Sequence, residues 1–470
     1  MKGKVKRFSD YHGYGFIAGN DGQDYFVYYT SIIGEGYRTL SQGDIVIFEP
    51  FETSKGLLAH DVEVANDKSI EIGTPLSIKK NPFTPQDPVT DPDKFAGRKE
   101  PFQNAVDALY NNKNILITGE RGIGKSSVAY QLLYLTNGEK ALLDKLNIDL
   151  GDYEFSYMTG DFRCMTEHSI NDIVKGLINS LKRFAELSEK KQGRTASFDL
   201  NLKFIKYTSQ TSYEDLTPSD LTDLFTSEVE SIFRELDEYY TGICFLIDEI
   251  DTIDPKIDIA SFLKAVVEKF RADGFASICF IVSGVTGTIT KMISQHPSAS
   301  RLFEVLELKP MQDEEMVEII NSALVNTDVA ITHDATTRII NLSNCFPQPV
   351  QLLGYHSFKY DTNNEINLID VNHARDFIVQ NIRKQEFDNR IQVIGSGVIK
   401  DILKVMAQAK EDAVDLSYIS ERIASSSLDQ ITGNMSYLLE KSYVVNIGKT
   451  KYKFREPLFK TYLRWTFDLV

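Results

Sequence analysis

The segment "NILITGERGIGKSSVAYQLL", residues 114–133, decides the fold of most of this chain. Its centre, Gly119 to Ser126, fits the pattern GxxxxGK[ST], with a short apolar run before it and a helix-forming run after it. Glycines let a backbone turn tightly enough for its N–H groups to face a phosphate, and the start of a helix adds positive potential. The segment therefore predicts a strand, a phosphate-binding loop and a helix of an α/β nucleotide-binding domain.

The loop predicts ATP and Mg²⁺ as the bound cofactors. Lys125 is expected to reach the β- and γ-phosphates, and the Ser126 hydroxyl to bind Mg²⁺. The alternative is an ordinary glycine-rich turn without a ligand. The residues expected to contact the nucleotide here are Gly119, Glu120, Arg121, Gly122, Ile123, Gly124, Lys125, Ser126 and Ser127.

A second motif, "CFLIDEID" at residues 244–251, supplies two acids at the end of an apolar strand. Asp248 is expected to hold Mg²⁺ together with Ser126, and Glu249 to orient and deprotonate the attacking water. An acidic pair after a strand is common by itself, but the phosphate loop earlier in the chain favours the catalytic interpretation. Together the two motifs predict a Mg²⁺-dependent ATP hydrolase.

The pattern around these motifs predicts three consecutive parts. Residues 95–310 alternate short, uniformly apolar runs with helical stretches, which is typical of a parallel α/β sheet buried on both faces. Residues 311–385 lack such runs and predict a helical lid. Residues 386–470 give helices followed by the hairpin-like "SYVVNIGKTKYKFREP", and we expect a winged-helix domain there.

The hairpin-like stretch carries an alternating set of basic residues. One hypothesis is that they touch a nucleic-acid backbone, and the other is that they form a solvated strand face. The residues concerned are Lys449, Lys451, Lys453 and Arg455.

The first part of the chain has a different pattern. Residues 1–66 contain short alternating runs separated by glycine-rich turns, which predict a small antiparallel β-barrel. Residues 67–94 hold five of the fourteen prolines in the chain. A polar, proline-rich stretch of this kind predicts an interdomain linker.

Aromatic and basic residues are concentrated in the predicted barrel. Alternate residues of a strand face the same side, so the rings can form an exposed ladder on which single-stranded RNA or DNA bases stack. The alternative is that the rings belong to the core or to a protein interface. The residues expected to bind nucleic acid are Lys6, Arg7, Phe8, Tyr14, Phe16, Phe26, Tyr28 and Tyr29.

Two of these stretches, "VKRFSDYHGYGFI" and "DYFVYYTSI", resemble the RNA-binding motifs of cold-shock domains. The resemblance extends over residues 1 to about 65 and includes "GDIVIFEP" and "AHDVEV". It implies an OB-like barrel that binds single strands. Arg7 stands where the family usually has Trp and Tyr28 where His is common, which implies weaker binding or a narrower target.

Residues 95–470 resemble the AAA+ ATPases and their STAND and origin-recognition-like relatives. The resemblance includes "FAGRKEPF" before the phosphate loop, both nucleotide motifs, and "NCFPQPVQLLG" in the lid. It implies that Arg98 and Pro347 lie near the adenine, that Ser283 occupies the sensor-1 position, and that Arg301 is an arginine finger that reaches a neighbouring subunit. The alternatives are a salt-bridged Arg301 and a Pro347 that only starts a helix. A sensor-2 arginine is not evident in the lid motif.

Composition limits the kinds of partner and compartment. The 470 residues carry a net charge of -16, which disfavours broad, non-specific binding of duplex DNA. The four cysteines are far apart in the sequence, which argues against a zinc site or a disulfide framework. No apolar run is long enough to span a bilayer. We therefore expect a cytoplasmic protein with no membrane association.

These observations favour a nucleic-acid-responsive ATPase that forms a homo-oligomer. Two alternatives remain open. The first is an adaptor that binds ATP without hydrolysing it. The second follows from a resemblance to retron-associated ATPases with cold-shock domains, and implies an antiviral-defence protein that recognises a single-stranded DNA/RNA hybrid with a defence-system protein partner.

Overall fold

The computed structural model of the chain divides into two units, Met1–Lys79 and Lys80–Val470. Within them no described helix is both long and apolar enough to cross a membrane. The described residues are 1–9, 14–33, 39–41, 43–53, 56–64, 80–191, 217–254, 256–275, 277–287, 300–382, 397–409, 411–423 and 426–469.

The first unit is a closed five-stranded barrel, as predicted for residues 1–66. Hydrogen bonding connects the strands in the order β1-β2-β3-β5-β4, and β4 closes the barrel on β1. Small and β-branched side chains alternate inward, so Val5, Ile17, Val27 and Val46 form much of its core. The strands are β1 Lys2–Ser9, β2 Tyr14–Gly19, β3 Asp24–Tyr28, β4 Ile45–Thr53 and β5 Gly56–Val64.

The segment predicted as a linker, residues 67–94, differs from that prediction in its second half. Residues 80–94 belong to the larger unit: Phe83 is 2% exposed, and the Thr84 N–H donates to Gln351 Oε1 at 2.9 Å. The Val89 N–H likewise donates to Ser127 Oγ at 2.9 Å. Because this stretch buries an aromatic side chain and pairs its backbone, it is structural and is not a tether.

The second unit contains the parallel α/β sheet predicted for residues 95–310. All five strands are parallel and lie in the order β10-β6-β9-β8-β7. The central strands β6 and β8 are buried along their whole length, which explains their uniformly apolar sequences. The strands are β6 Asn114–Thr118, β7 Tyr157–Arg163, β8 Gly242–Asp248, β9 Ser277–Gly284 and β10 Phe303–Glu307.

Helices cover this sheet, and local sequence signals mark where two of them begin. Thr217 begins α5 with a capping box, and Gly124 in a left-handed conformation (φ 97°) immediately precedes α2. The helices are α1 Lys99–Tyr110, α2 Lys125–Thr136, α3 Ala141–Leu146, α4 Ile170–Lys191, α5 Pro218–Arg234 and α6 Ile259–Ala272.

Within the described residues 311–382, four α-helices follow the sheet, over the part predicted as a helical lid. A short parallel pair of strands, β11 Ala330–Ile331 and β12 Glu365–Ile366, joins two of their connections. The helices are α7 Asp313–Leu324, α8 His333–Ser343, α9 Pro347–Tyr360 and α10 Leu368–Phe377.

From residue 397 onward, the described residues form four helices and a three-stranded sheet of order β13-β15-β14. The final helix packs back on the preceding part, since the Trp465 indole N–H donates to Leu342 O at 2.8 Å and the Asp468 carboxylate binds Arg338 and Arg375. In chain order the elements are α11 Val398–Gln408, β13 Ala413–Asp415, α12 Leu416–Arg422, α13 Leu428–Glu440, β14 Val444–Asn446, β15 Lys451–Phe454 and α14 Pro457–Phe467.

Candidate nucleotide site and nucleic-acid surface

The predicted phosphate loop lies between β6 and α2, at the carboxyl edge of the parallel sheet. Its three glycines all have positive φ: 155° at Gly119, 76° at Gly122 and 97° at Gly124. A side chain would be strained at these positions, and a Cβ on Gly119 would also lie 3.0 Å from Leu308 O. The sequence pattern therefore specifies a backbone shape that only glycine accommodates easily.

Lys125 is the first residue of α2 and lines a cavity of about 460 Å³. Its Nζ donates to Glu120 O at 3.0 Å, so the amino group lies over the loop backbone. Burial lowers the pKa of Lys125, while Asp251 and Asp248 act in the opposite direction. A cation held inside a concave backbone of this kind is suited to polyphosphate.

A compact hydroxyl–carboxylate cluster lies beneath the loop. Ser126 Oγ donates to Asp248 Oδ1 at 3.1 Å, and Ser283 Oγ donates to the same oxygen. Asp248 is 1% exposed at the end of β8, and Ser283 is fully buried at the end of β9. Carboxylate and hydroxyl oxygens are ligands that Mg²⁺ accepts, and it usually completes its shell with water and substrate phosphates. Ser126 and Asp248 therefore fit the predicted magnesium role.

Glu249 is engaged by an ion pair that the sequence did not reveal. Arg163 Nε donates to Glu249 Oε2 at 3.0 Å and Arg163 Nη2 donates to Oε1 at 2.7 Å. Glu249 itself has a left-handed backbone (φ 57°), and its N–H donates to Ser283 Oγ at 3.4 Å. The bidentate contact occupies both oxygens that a general base would use.

Most of the predicted nucleotide contacts meet at the cavity. Arg98, Glu249, Pro347 and the loop residues Arg121–Ser127 line it. The Arg98 guanidinium is 6% exposed and donates to Lys309 O at 2.5 Å and to Ile123 O at 2.8 Å. Both carbonyls are backbone groups. Through the one at Ile123, the Arg98 side chain positions the main chain of the phosphate loop.

Glu120 is the loop residue whose side chain departs from this arrangement. Like Gly119, it does not line the cavity, and its Oε1 lies 3.9 Å from Lys453 Nζ of β15. Lys453, predicted to touch nucleic acid or solvent, therefore faces the phosphate loop. Burial raises the pKa of Glu120, and Lys453 opposes that shift.

Arg301 lies at the opposite edge of the sheet from the phosphate loop. It is exposed and lies two residues before Phe303, the first residue of β10, which pairs with Asn114 at the start of β6. The phosphate loop follows the other end of β6. Arg301 is thus about 15 Å from the loop and does not reach the cavity of its own chain.

Sequence reasoning missed several residues that line the cavity. Residues 84–89 lie in the predicted linker, where no site is expected. Arg163 is an isolated arginine at the end of a strand and belongs to no motif. Asp251 ends the acidic motif at residues 244–251. Its Oδ1 accepts from the Val285 N–H at 3.0 Å, and its Oδ2 lies 3.8 Å from the Arg121 guanidinium. Gln348 followed the predicted Pro347, and its N–H donates to Gly122 O at 3.2 Å. Proximity to known motifs was the available signal for Asp251 and Gln348.

The barrel presents the predicted aromatic surface on β2 and β3. Tyr14 stacks on Phe26 with ring centres 5.3 Å apart, and Phe16 meets Phe26 edge-on at 5.5 Å. Tyr14, Tyr28 and Tyr29 are 37%, 42% and 47% exposed, which rules out a core role for these three rings. A continuous ladder of partly exposed rings suits stacking of unpaired bases.

Phe8 differs from the expectation, whereas Lys6 and Arg7 are exposed. A β-bulge between Val5 and Arg7 shifts the alternation of β1, so Phe8 is half-buried and packs against the barrel core instead of joining the ladder. The same shift places the Arg7 guanidinium over the Phe16 ring, 5.2 Å from its centre. Lys6 is exposed but ion-paired to Asp24 at 2.7 Å.

Comparison with known proteins identifies this barrel. The profile of the 'Cold-shock' DNA-binding domain family matches residues 1–65. A cold shock-like protein of Thermotoga maritima is 47% identical over 64 residues, which are 14% of this chain and 97% of that protein. Cold shock protein CspB of Bacillus caldolyticus is 46% identical over 62 residues, 13% of this chain and 94% of that protein. The chain belongs to the cold-shock domain family through these residues.

The cold-shock domain accounts for a small share of the chain, and the larger unit has its own structural relative. The Walker-type ATPase of Pyrococcus abyssi superposes with a TM-score of 0.50 at 17% sequence identity. The match covers 81% of this chain and 99% of that structure. At this identity it shows the fold alone: a cold-shock domain precedes a body with the fold of a Walker-type ATPase.

Proposed function

We propose that this protein is an ATPase whose turnover responds to single-stranded nucleic acid bound by its cold-shock domain. The observation that carries the proposal is the convergence of the phosphate loop, Lys125, the Ser126–Asp248 contact and Glu249 around one cavity of about 460 Å³. Such a volume is within the range of small-molecule sites. The loop pattern selects a nucleoside triphosphate, and we infer ATP as the substrate.

The proposed chemistry assigns a task to each of these groups. Loop N–H groups and Lys125 bind the β- and γ-phosphates, and Ser126 with Asp248 holds Mg²⁺. The metal ion neutralises charge that develops on the phosphates when it is bound there. Ser283 donates to Asp248 and so fixes the orientation of that carboxylate. Glu249 accepts the proton of the attacking water.

The Arg163–Glu249 ion pair makes hydrolysis conditional. Both carboxylate oxygens of Glu249 are engaged by Arg163, so the base must leave the pair before it can orient water. This contact also favours the second candidate function, an adaptor that binds ATP and hydrolyses it negligibly. Steady-state turnover separates the two, because the adaptor stays silent with every oligonucleotide.

The nucleic-acid part of the proposal rests on the ring ladder. Each stacked base is worth about 1–3 kcal/mol on an aromatic platform, without any need for net positive charge. This explains how a chain with a net charge of -16 could still bind a single strand. Stacking on the ring ladder favours neither RNA nor DNA as the bound single strand.

Three further assignments complete the proposal. The order of helices and strands from α11 to α14 supports a winged-helix domain for residues 386–470, whose described part begins at residue 397. Arg301 is exposed and does not line the cavity of its own chain, and the proposal includes an oligomer in which it reaches the cavity of a neighbouring subunit. A retron-type defence role stays a prediction of the resemblance.

Equilibrium binding and turnover of ATP in three proteins test the proposed site. We expect the wild type to bind and hydrolyse ATP only with Mg²⁺, Lys125→Ala to bind weakly, and Glu249→Gln to bind ATP without turnover. Full turnover in Glu249→Gln would remove that residue as the base. Equal affinity in Lys125→Ala would remove the loop as the phosphate site.

A further inference from the structure

The last part of the chain touches the phosphate loop at two neighbouring positions. Lys453 Nζ of β15 lies 3.9 Å from Glu120 Oε1 and 4.0 Å from Asp412 Oδ2. In the helix that follows β15, the Leu458 methyl groups lie 3.4 and 3.5 Å from where a Cβ on Gly122 would be. These contacts join the nucleotide loop to a part of the chain far away in sequence.

Glu120 is an unfavourable residue for a loop that binds anions. Its carboxylate and an incoming polyphosphate are both negative, and burial weakens the screening by water. The main-chain carbonyl of Glu120 accepts from Lys125 Nζ, so the carboxylate and the amino group assigned to the phosphates belong to the same short loop. Without a compensating cation on the other side, this carboxylate would repel the phosphates.

Lys453, on the middle strand of the C-terminal sheet β13-β15-β14, supplies a cation beside Glu120. Tyr452 and Phe454 are buried on one face of β15, so the alternation of the strand directs Lys453 to the other face, where it is 30% exposed. Five described residues from the predicted lid line the cavity, and all of them are uncharged. They are Met311, which precedes α7, Ile319 in α7, and Pro347, Gln348 and Gln351 in α9. Lys453 therefore supplies a positive charge that the lid helices do not.

We propose that Lys453 neutralises Glu120 and thereby sets the affinity of the loop for nucleoside triphosphate, so that docking of the C-terminal sheet and nucleotide binding reinforce each other. The inference rests on the proposed ATP site and adds a positioning residue to it. Lys453 acts through Glu120 and is not assigned a contact with the phosphates. Because linkage is reciprocal, bound triphosphate must tighten the Lys453–Glu120 contact by the same factor.

The proposal predicts a specific pattern in a mutant cycle. Lys453→Met should weaken binding of a non-hydrolysable ATP analogue about fivefold, and ADP less, because ADP carries less charge. Glu120→Gln in the same chain should restore most of the lost affinity, since the carboxylate in the loop itself is then gone and Asp412 is the other acid that Lys453 meets. High salt should shrink the defect of the single variant.

Lys451→Met is the matched control, because Lys451 is an exposed lysine two positions earlier on the same strand face. It removes the same charge and should leave affinity unchanged. All affinities are measured by titration calorimetry on the full chain at mildly alkaline pH, where Glu120 is ionised. Circular dichroism confirms that each variant is folded.

The outcomes separate this inference from the proposed function. Wild-type binding with a Lys453→Met defect that Glu120→Gln rescues would support it. A defect that Glu120→Gln leaves in place would show a merely structural role for Lys453 and overturn it, as would equal affinities in the two lysine variants. No nucleotide binding by the folded wild type would overturn the proposed function and this inference together.

Discussion

Replacing Arg163 by alanine is expected to raise basal ATP turnover about fivefold. The side chains of the Arg163–Glu249 pair are 54% and 36% exposed, and solvent screening limits such pairs to about 0.2–1 kcal/mol. The bidentate geometry, at 3.0 and 2.7 Å, puts this pair near the upper end, at ~1 kcal/mol. Since 1.36 kcal/mol corresponds to a factor of about ten, releasing Glu249 should increase the active population roughly fivefold.

The assay is steady-state phosphate release without oligonucleotide, for wild type, Arg163→Ala and Arg163→Lys. Lysine keeps the charge but cannot make the two-pronged contact, so its rate should lie between the other two. Arg183→Ala, which removes an exposed arginine of α4, is the control and should match the wild type. A slower Arg163→Ala enzyme would refute the restraint and assign Arg163 to the ligand instead.

Three further predictions concern the cold-shock domain, the reassigned segment and the C-terminus. Phe26→Ala should weaken binding of a single-stranded oligonucleotide by about 1–3 kcal/mol in fluorescence anisotropy, whereas Phe51→Ala, an exposed ring on β4, should not. Phe83→Ala should cost about 3–5 kcal/mol of unfolding free energy in denaturant titration of the larger unit, and a cost near zero would restore the linker assignment. Two arginines hold the pKa of Asp468 below 3.8, so its stabilisation is complete above that value and is lost as the pH falls through the depressed pKa. Asp468→Asn should therefore unfold at a lower denaturant concentration than wild type at neutral pH, and at the same concentration in strong acid. The fluorescence of Trp465, the single tryptophan, follows the unfolding.

Local sequence rules predicted the parts of this protein that are themselves local. The phosphate loop needs glycine at three strained positions, and the buried strands need uninterrupted apolar runs, so both leave direct marks in the sequence. Proline-rich composition gave the wrong answer for residues 80–94, because the same composition serves a tether and an ordered, buried segment. The burial of Phe83 and the backbone hydrogen bonds of Thr84 and Val89 distinguish them.

Contacts between distant elements could not be predicted in this way. Arg163 and Glu249 meet because β7 and β8 are adjacent parallel strands in register, with Arg163 opposite Asp248. Lys453 meets Glu120 through packing of the last sheet on the loop, which no spacing in the sequence encodes. Strict alternation along β1 assigns Phe8 to the wrong face, because the β-bulge adds a single residue and so reverses the alternation.

The most direct test of the central claim is the rate of ATP hydrolysis with and without a mixed single-stranded oligonucleotide, in wild type and in Phe16→Ala. The claim predicts that the oligonucleotide stimulates the wild type and that the stimulation disappears in the variant, while the rates without oligonucleotide agree. Equal rates under all four conditions would contradict it, because the cold-shock domain and the ATP site would then act independently.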